Sequence, residues 1–175
     1  MEISEMPIHN IEWVNVKELK QNDYNPNVVL TQEMNLLKLS IMENGWIQPI
    51  LITQDNIIID GFHRATLCKI DKQLYELTDG KVPCVRMNLT EPQRMLLTIR
   101  INRAKGNHIA FKMSDVIHKL VNEYNIPTKV ISKEIGATKE EINLLLQDNV
   151  FTMKKFNEDT KYSQSWVPQK TKNRK

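Results

Sequence analysis

Three consecutive isoleucines, Ile57 to Ile59, run into Asp60, Gly61, Phe62, His63 and Arg64, and the apolar residues Ala65, Leu67, Cys68 and Ile70 follow at helical spacing. A β-branched run, a glycine and an amphipathic stretch in that order specify a strand, a tight turn and a helix start. Glycine at such a turn lets backbone approach a ligand closely, and the open N–H groups of the first helical turn attract anions. His63 and Arg64 add side-chain donors, so the segment reads as a phosphate-holding corner with Asp60 placed to orient a hydroxyl or a metal ion. A ligand-free reading stands beside it: Asp60 caps the helix and Arg64 makes a surface ion pair.

The surrounding segments predict an α+β unit. A strand is expected near Glu12 to Val16, followed by a polar loop through Pro26 and a helix from Thr31 to Asn44. In that helix Met34, Leu37 and Ile41 recur at helical spacing, with Leu36, Leu39 and Met42 widening the face expected to pack on a sheet. Strands at Ile50 to Thr53 and Asn56 to Ile59, joined at Gln54 and Asp55, form a hairpin, and the polar stretch Asp71 to Lys81 leads to an edge strand at Val82. Cys68 and Cys84 fall among apolar residues and read as small core side chains; without paired Cys/His spacing no metal site is expected.

From residue 89 onward the pattern is helical. Thr90, Glu91, Pro92 and Gln93 make a capping-box start for a helix from Glu91 to Arg103, with Arg100 and Arg103 on one face. Met113, Val116, Ile117, Leu120, Val121 and Tyr124 define a second, amphipathic helix ended by Pro127, with His118 opposite the stripe. Thr128 to Ile135, a turn at Gly136, and Thr138 to Gln147 then read as a helix-turn-helix-like pair. Lys139, Asn143 and Gln147 are its candidate DNA contacts, although Glu140, Glu141 and Asp148 oppose phosphate approach. The expected organisation is a unit over residues 1–88, a helical unit over 89–150 and a basic tail over 151–175.

Residues 149 to 175 carry seven Lys/Arg against two acidic residues, a net of +5. With +3 overall, the rest of the chain is at −2. The tail, ending in Lys170, Lys172, Arg174 and Lys175, is either a second DNA-contacting segment or a solvated end, and Trp166 within it calls for a packing partner, its own domain or a dimer. No apolar run is long enough to span a bilayer, and Glu2 and Glu5 do not fit a secretion signal. A soluble cytoplasmic protein is expected.

Asn22, Asp23, Tyr24, Asn25, Pro26 and Asn27, then the helix from Thr31, then Gly45, Trp46, Ile47, Gln48, Pro49 and Ile50, then Asp-Gly-x-His-Arg, resemble in order and spacing the ParB/sulfiredoxin superfamily over roughly Ile11 to Met87. ParB members of that superfamily carry an N-P-x-Q-P-R element, a helix ending in G-x-x-Q-P-I and a G-E-R-R-x-R-A box that binds the phosphates of CTP. The resemblance implies a small mixed sheet with helices followed by an all-helical region, and a nucleotide cofactor (CTP, ATP or ADP) with Mg²⁺. It assigns Gln48, Gly61, His63, Arg64, Asn102, Arg103 and Lys105 to nucleotide binding, the last three by analogy with an E-N-x-x-R segment. Gly106, Asn107 and His108 continue that loop, and Asn-Arg-x-x-Gly-x-His is also similar to phage and prophage ParB-like regulators of the IbrB type.

Phe62 departs from both better-known branches. Sulfiredoxins place a nucleophilic cysteine there, so sulfiredoxin activity is not expected, and ParB proteins usually place glutamate. Asp-Gly-x-His-Arg is similar to the Asp-Gly-His-His-Arg motif of ParB-like free-serine kinases, in which the aspartate helps activate the hydroxyl; Asp60 would be catalytic in that case, with Asp23 or Glu33 as the nearest candidates for a general base. The leading expectation is a nucleotide-responsive DNA-binding or regulatory factor, with DNA, a protein partner or a second copy as its associates. A serine-kinase-like enzyme and a non-catalytic adaptor are the alternatives.

Overall fold

A computed structural model of the chain describes residues 2–23, 31–105 and 110–147. Four strands, β1 (Ile11–Asn15), β2 (Ile50–Thr53), β3 (Ile58–Asp60) and β4 (Lys81–Met87), form one sheet in the order β1-β4-β2-β3. The hairpin β2–β3 is antiparallel, as is the pair β1–β4, while β2 and β4 run parallel. Parallel neighbours need a crossover. Helices α2 (Phe62–Ile70) and α3 (Lys72–Leu77) supply it.

Strand β4 is therefore interior, not at an edge. Val82, Pro83, Cys84 and Val85 are all buried, which is the pattern of a strand covered on both faces. The polar stretch before it misleads because it is a short helix: Asp71 caps α3 by accepting the Leu74 N–H at 3.1 Å, and Leu74 is fully buried. Ala65 and Cys68 of α2 close the main core over Val14, Ile50, Ile52, Ile58, Val82 and Cys84. Burial pushes the Cys84 thiol up to about 12, and burial raises Cys68 as well, so both cysteines are inert core groups.

Helix α1 (Thr31–Asn44) forms where the sequence places it but buries a narrower stripe. Ile41, Met34 and Leu37 pack with Leu67 of α2 and Leu74 of α3, a small cluster on the helical layer rather than on the sheet itself. Leu36, Leu39 and Met42, expected to widen that face, are exposed. Two short helices cover a narrower arc than a sheet would.

Helices α4 (Glu91–Ala104), α5 (Ala110–Asn122), α6 (Thr128–Ile135) and α7 (Lys139–Leu145) surround a second apolar core. Met95, Leu96 and Ile99 of α4, Met113, Val116, Ile117 and Leu120 of α5, and Ile131, Ile135, Ile142 and Leu145 of the last two helices fill it. The Thr90/Gln93 capping box is formed, Gly136 ends α6 in the left-handed region at φ +65°, and His118 is half-buried. The sheet and the helical part meet where the Thr98 hydroxyl of α4 donates to the Ile59 carbonyl of β3 at 3.2 Å. The architecture is α+β, and no helix among the described residues is long and apolar enough to cross a membrane.

Candidate phosphate-binding corner

Strand β3 ends at Asp60, and α2 starts at Phe62 with Gly61 between them as N-cap at φ +94°. That backbone region favours glycine. A side chain there would also be crowded: a Cβ on Gly61 would lie 3.0 Å from Arg64 Nη2 and 3.1 Å from Ile50 Cγ1. Gly61 brings no side chain to the first helical turn. The amides of Phe62, His63 and Arg64 are the donors that a helix leaves without an intrahelical acceptor, and Ala65 N–H is the first to bond back, to Gly61 O at 3.1 Å.

Arg64 is buried, with its residue 9% exposed, and folds back beneath the turn. Its Nη1 donates to the carbonyls of Gln48 at 2.6 Å and Pro49 at 3.1 Å, and its Nη2 to Asp60 Oδ2 at 3.1 Å. Burial lowers its pKa, and the Asp60 charge opposes that shift. Asp60 is gripped from the other side by Lys105, whose Nζ lies 2.9 Å from each carboxylate oxygen. Asp60 is therefore not the helix cap, and Arg64 is not a surface ion pair. The carboxylate is the centre of a Lys105–Asp60–Arg64 triad that joins the end of α4 to the β3–α2 turn.

His63 is half-buried, with its ring edge-on to Phe62 at 5.6 Å between centroids. Burial lowers its pKa below the ordinary 6.5, against the upward pull of the Glu33 and Asp60 carboxylates; Arg64 and Lys105 add to the lowering. A neutral imidazole that gains charge when an anion arrives is the expected behaviour of such a group. Glu33 in the first turn of α1 thus belongs to the electrostatic neighbourhood of the corner.

The remaining sequence-assigned residues divide. Gln48 has an exposed side chain and contributes its backbone carbonyl. Asn102 is buried. The Arg103 guanidinium is engaged with Glu141, at 2.5 Å and 3.3 Å, and with the Gly136 carbonyl at 3.3 Å. Arg100 pairs with Glu134 at 3.2 Å. The two arginines thus hold α6 and α7 onto α4. The Glu141 carboxylate goes to Arg103, although its N–H does donate to Thr138 Oγ1 at 3.1 Å. Lys139, Asn143 and Gln147 are exposed, as are Lys129 and Lys133 of α6, which the sequence reading passed over and which their i, i+4 spacing could have flagged. Tyr24, Asn25, Pro26 and Asn27, Gly106, Asn107 and His108, and Trp166, Lys170, Lys172, Arg174 and Lys175 lie outside the described residues.

Against this geometry, the profile of the ParB N-terminal domain family matches residues 2–99. The YbdM protein of Escherichia coli (strain K12) is 35% identical over 167 residues, covering 93% of this chain and 78% of that protein. The probable chromosome-partitioning protein ParB of Rickettsia felis is 24% identical over 140 residues, covering 79% of this chain and 47% of its own length. The chain thus matches about half the length of that ParB relative. Among solved structures, the C-terminally truncated Caulobacter crescentus ParB complexed to the centromeric parS site has a TM-score of 0.50 at 16% identity, covering 77% of this chain and 69% of that one, a likeness of fold.

Proposed function

The chain belongs to the ParB N-terminal domain family, and from that membership we propose that it is a nucleotide-responsive factor whose β3–α2 corner receives the phosphates and whose helix pair binds DNA. The single observation that carries the first half is Gly61 at φ +94° between a strand and a nine-residue helix, with His63 and Lys105 beside it. A phosphate at this corner takes hydrogen bonds from the first-turn amides of α2 and charge from Lys105 and a protonating His63. Arg64 contributes mainly by fixing the turn, because its donors already serve two carbonyls and Asp60. Mg²⁺ binds through one or two carboxylates together with substrate phosphates. Both Asp60 oxygens are held by Lys105 and Arg64, so such an ion would enter with the nucleotide phosphates rather than at a carboxylate of this corner.

The DNA half rests on where the acidic side chains point. Glu134 and Glu141 are bound to Arg100 and Arg103 of α4, while Lys129, Lys133 and Lys139 are exposed; of the other acidic residues expected to oppose phosphate, Glu140 is exposed and Asp148 lies outside the described residues. That arrangement softens the repulsion the sequence implies for α7. Asn143 and Gln147 are then the candidates for base or phosphate contact.

A second reading, a serine-kinase-like phosphotransferase, is favoured by one observation: the charges of two carboxylates, Glu33 and Asp60, both reach His63. Both Asp60 oxygens are engaged by Lys105 and Arg64, so Glu33 would be the one to take the hydroxyl proton. Calorimetry with CTP, ATP and ADP, with and without Mg²⁺, tests the leading reading. Binding of at least one nucleotide, weakened by His63→Ala and by Lys105→Ala, supports it; no binding by any of the three removes it. Phosphate transfer to free serine, lost in Glu33→Gln, would promote the kinase.

A further inference from the structure

The Lys105–Asp60–Arg64 triad has a property that the phosphate reading does not require. A carboxylate already sits between the two cations of the corner, with its side chain 15% exposed and both oxygens engaged. We propose that Asp60 is a built-in competitor for the phosphate site, a tethered anion that a phosphoryl group must displace from Lys105 in order to bind. The inference rests on the reading of the corner as a phosphate site and assigns to Asp60 a role opposite to that of a ligand-binding residue.

The geometry supports displacement rather than simple addition. Arg64 cannot swing away to a ligand, because Nη1 is held by the carbonyls of Gln48 and Pro49 and the guanidinium lies against the Gly61 backbone, where even a methyl group would be 3.0 Å away. Lys105 is the mobile member: its side chain is 43% exposed and ends a flexible stem, with Asp60 as the acceptor of its Nζ. An arriving phosphoryl group offers Lys105 more negative charge than one carboxylate does, and Asp60 keeps Arg64 as its remaining partner. Like charge then sets the price: phosphate oxygens next to an ionised Asp60 are repelled, and the wild-type affinity is held down.

The test compares the full chain with its Asp60→Asn variant, using inorganic pyrophosphate in the presence of EDTA so that no cation can bridge ligand and carboxylate. Asp60→Asn is expected to bind pyrophosphate at least about fivefold more tightly, in the range of ordinary site–site coupling. Added pyrophosphate is also expected to restore most of the thermal stability that the variant loses, because Lys105, no longer paired with a carboxylate, takes up the external anion. Equal or weaker binding by Asp60→Asn, with the unsubstituted protein still binding, overturns the competitor role and leaves the phosphate site standing. Absence of binding by both proteins overturns the site reading and the inference together. If the variant does not fold, the carboxyl carbon resonance of Asp60 in the unsubstituted protein serves instead. A shift on pyrophosphate addition, abolished by Lys105→Gln, supports displacement, and an unchanged resonance under saturating ligand contradicts it.

Discussion

Replacing Arg64 by alanine separates a residue that builds the corner from one that merely binds there. The change removes three charge-assisted bonds, to the carbonyls of Gln48 and Pro49 and to Asp60, from a side chain that is almost wholly enclosed. Hydrogen bonds to charged groups contribute roughly 1.5–3 kcal/mol each, and breaking a buried pair by deleting one partner costs about 3–5 kcal/mol. Asp60 keeps Lys105, and water can reach part of the space, so the lower end applies: about 3 kcal/mol. With a urea slope of about 2 kcal/mol per molar, the unfolding midpoint should fall by about 1.5 M. The melting temperature should fall by about 9 °C, at roughly 3 °C per kcal/mol for a chain of this size. Arg64→Lys keeps the charge but cannot reach three acceptors in a fork, so about half of the loss should remain. Chemical denaturation followed by tryptophan fluorescence measures both variants. The reasoning is refuted if Arg64→Ala unfolds at the unsubstituted midpoint while its pyrophosphate affinity collapses, for then the guanidinium serves the ligand and not the turn.

Other expectations follow from the same contacts. Gly61→Ala forces a non-glycine residue to φ +94° and drives a methyl group against Arg64 and Ile50, so it should destabilise by about 1–3 kcal/mol, whereas Ala at an exposed helical position such as Lys69 should stay within about 0.5 kcal/mol. His63 is held below 6.5 by burial, so its neutral form is favoured in the fold. Its unfolded counterpart binds protons first as pH drops below 6.5, and stability should decline from there until the folded pKa is passed. Pyrophosphate should raise that folded pKa, seen by NMR titration of the imidazole; an unmoved titration would disconnect His63 from the ligand. Asp71 is held below the ordinary 3.8 by its bond to Lys38, so Lys38→Met should move its titration upward, and the stabilising contribution is present above pH 3.8 and lost as pH falls through the folded value. If the helix pair contacts DNA, each of Lys129→Ala, Lys133→Ala and Lys139→Ala that removes a phosphate contact should flatten the salt dependence of binding by about 0.9 in log–log slope; unchanged slopes for all three, with loss of binding on deleting the last seven residues, would move the contact to the tail.

Much of this architecture is legible in the chain because local signals agree with one another. Ile57 to Ile59 followed by Gly61 fixes the corner, the Thr90/Gln93 box fixes the start of α4, and Gly136 fixes the break between α6 and α7. The misreadings come from tertiary context. Nothing in the sequence around Val82 says that β1 and β2 will both pair with it, and the apolar count of α1 does not reveal that its neighbours are two short helices rather than a sheet. At the candidate corner, residue types single out Gly61, His63, Arg64 and Lys105, yet their pairing is invisible. Lys105 is 45 residues from Asp60 and Arg103 is 38 residues from Glu141, and only the fold decides which basic group meets which acid.

The central claim is that phosphate enters at the β3–α2 corner, and backbone amide spectra of the ¹⁵N-labelled protein during titration with CTP, ATP or ADP test it most directly. The account predicts that Gly61, Phe62, His63 and Arg64 shift first and saturate together, with the Lys105 amide following at the same ligand concentration. Saturable shifts confined to other parts of the chain, or spectra that do not change with any of the three nucleotides, would contradict it.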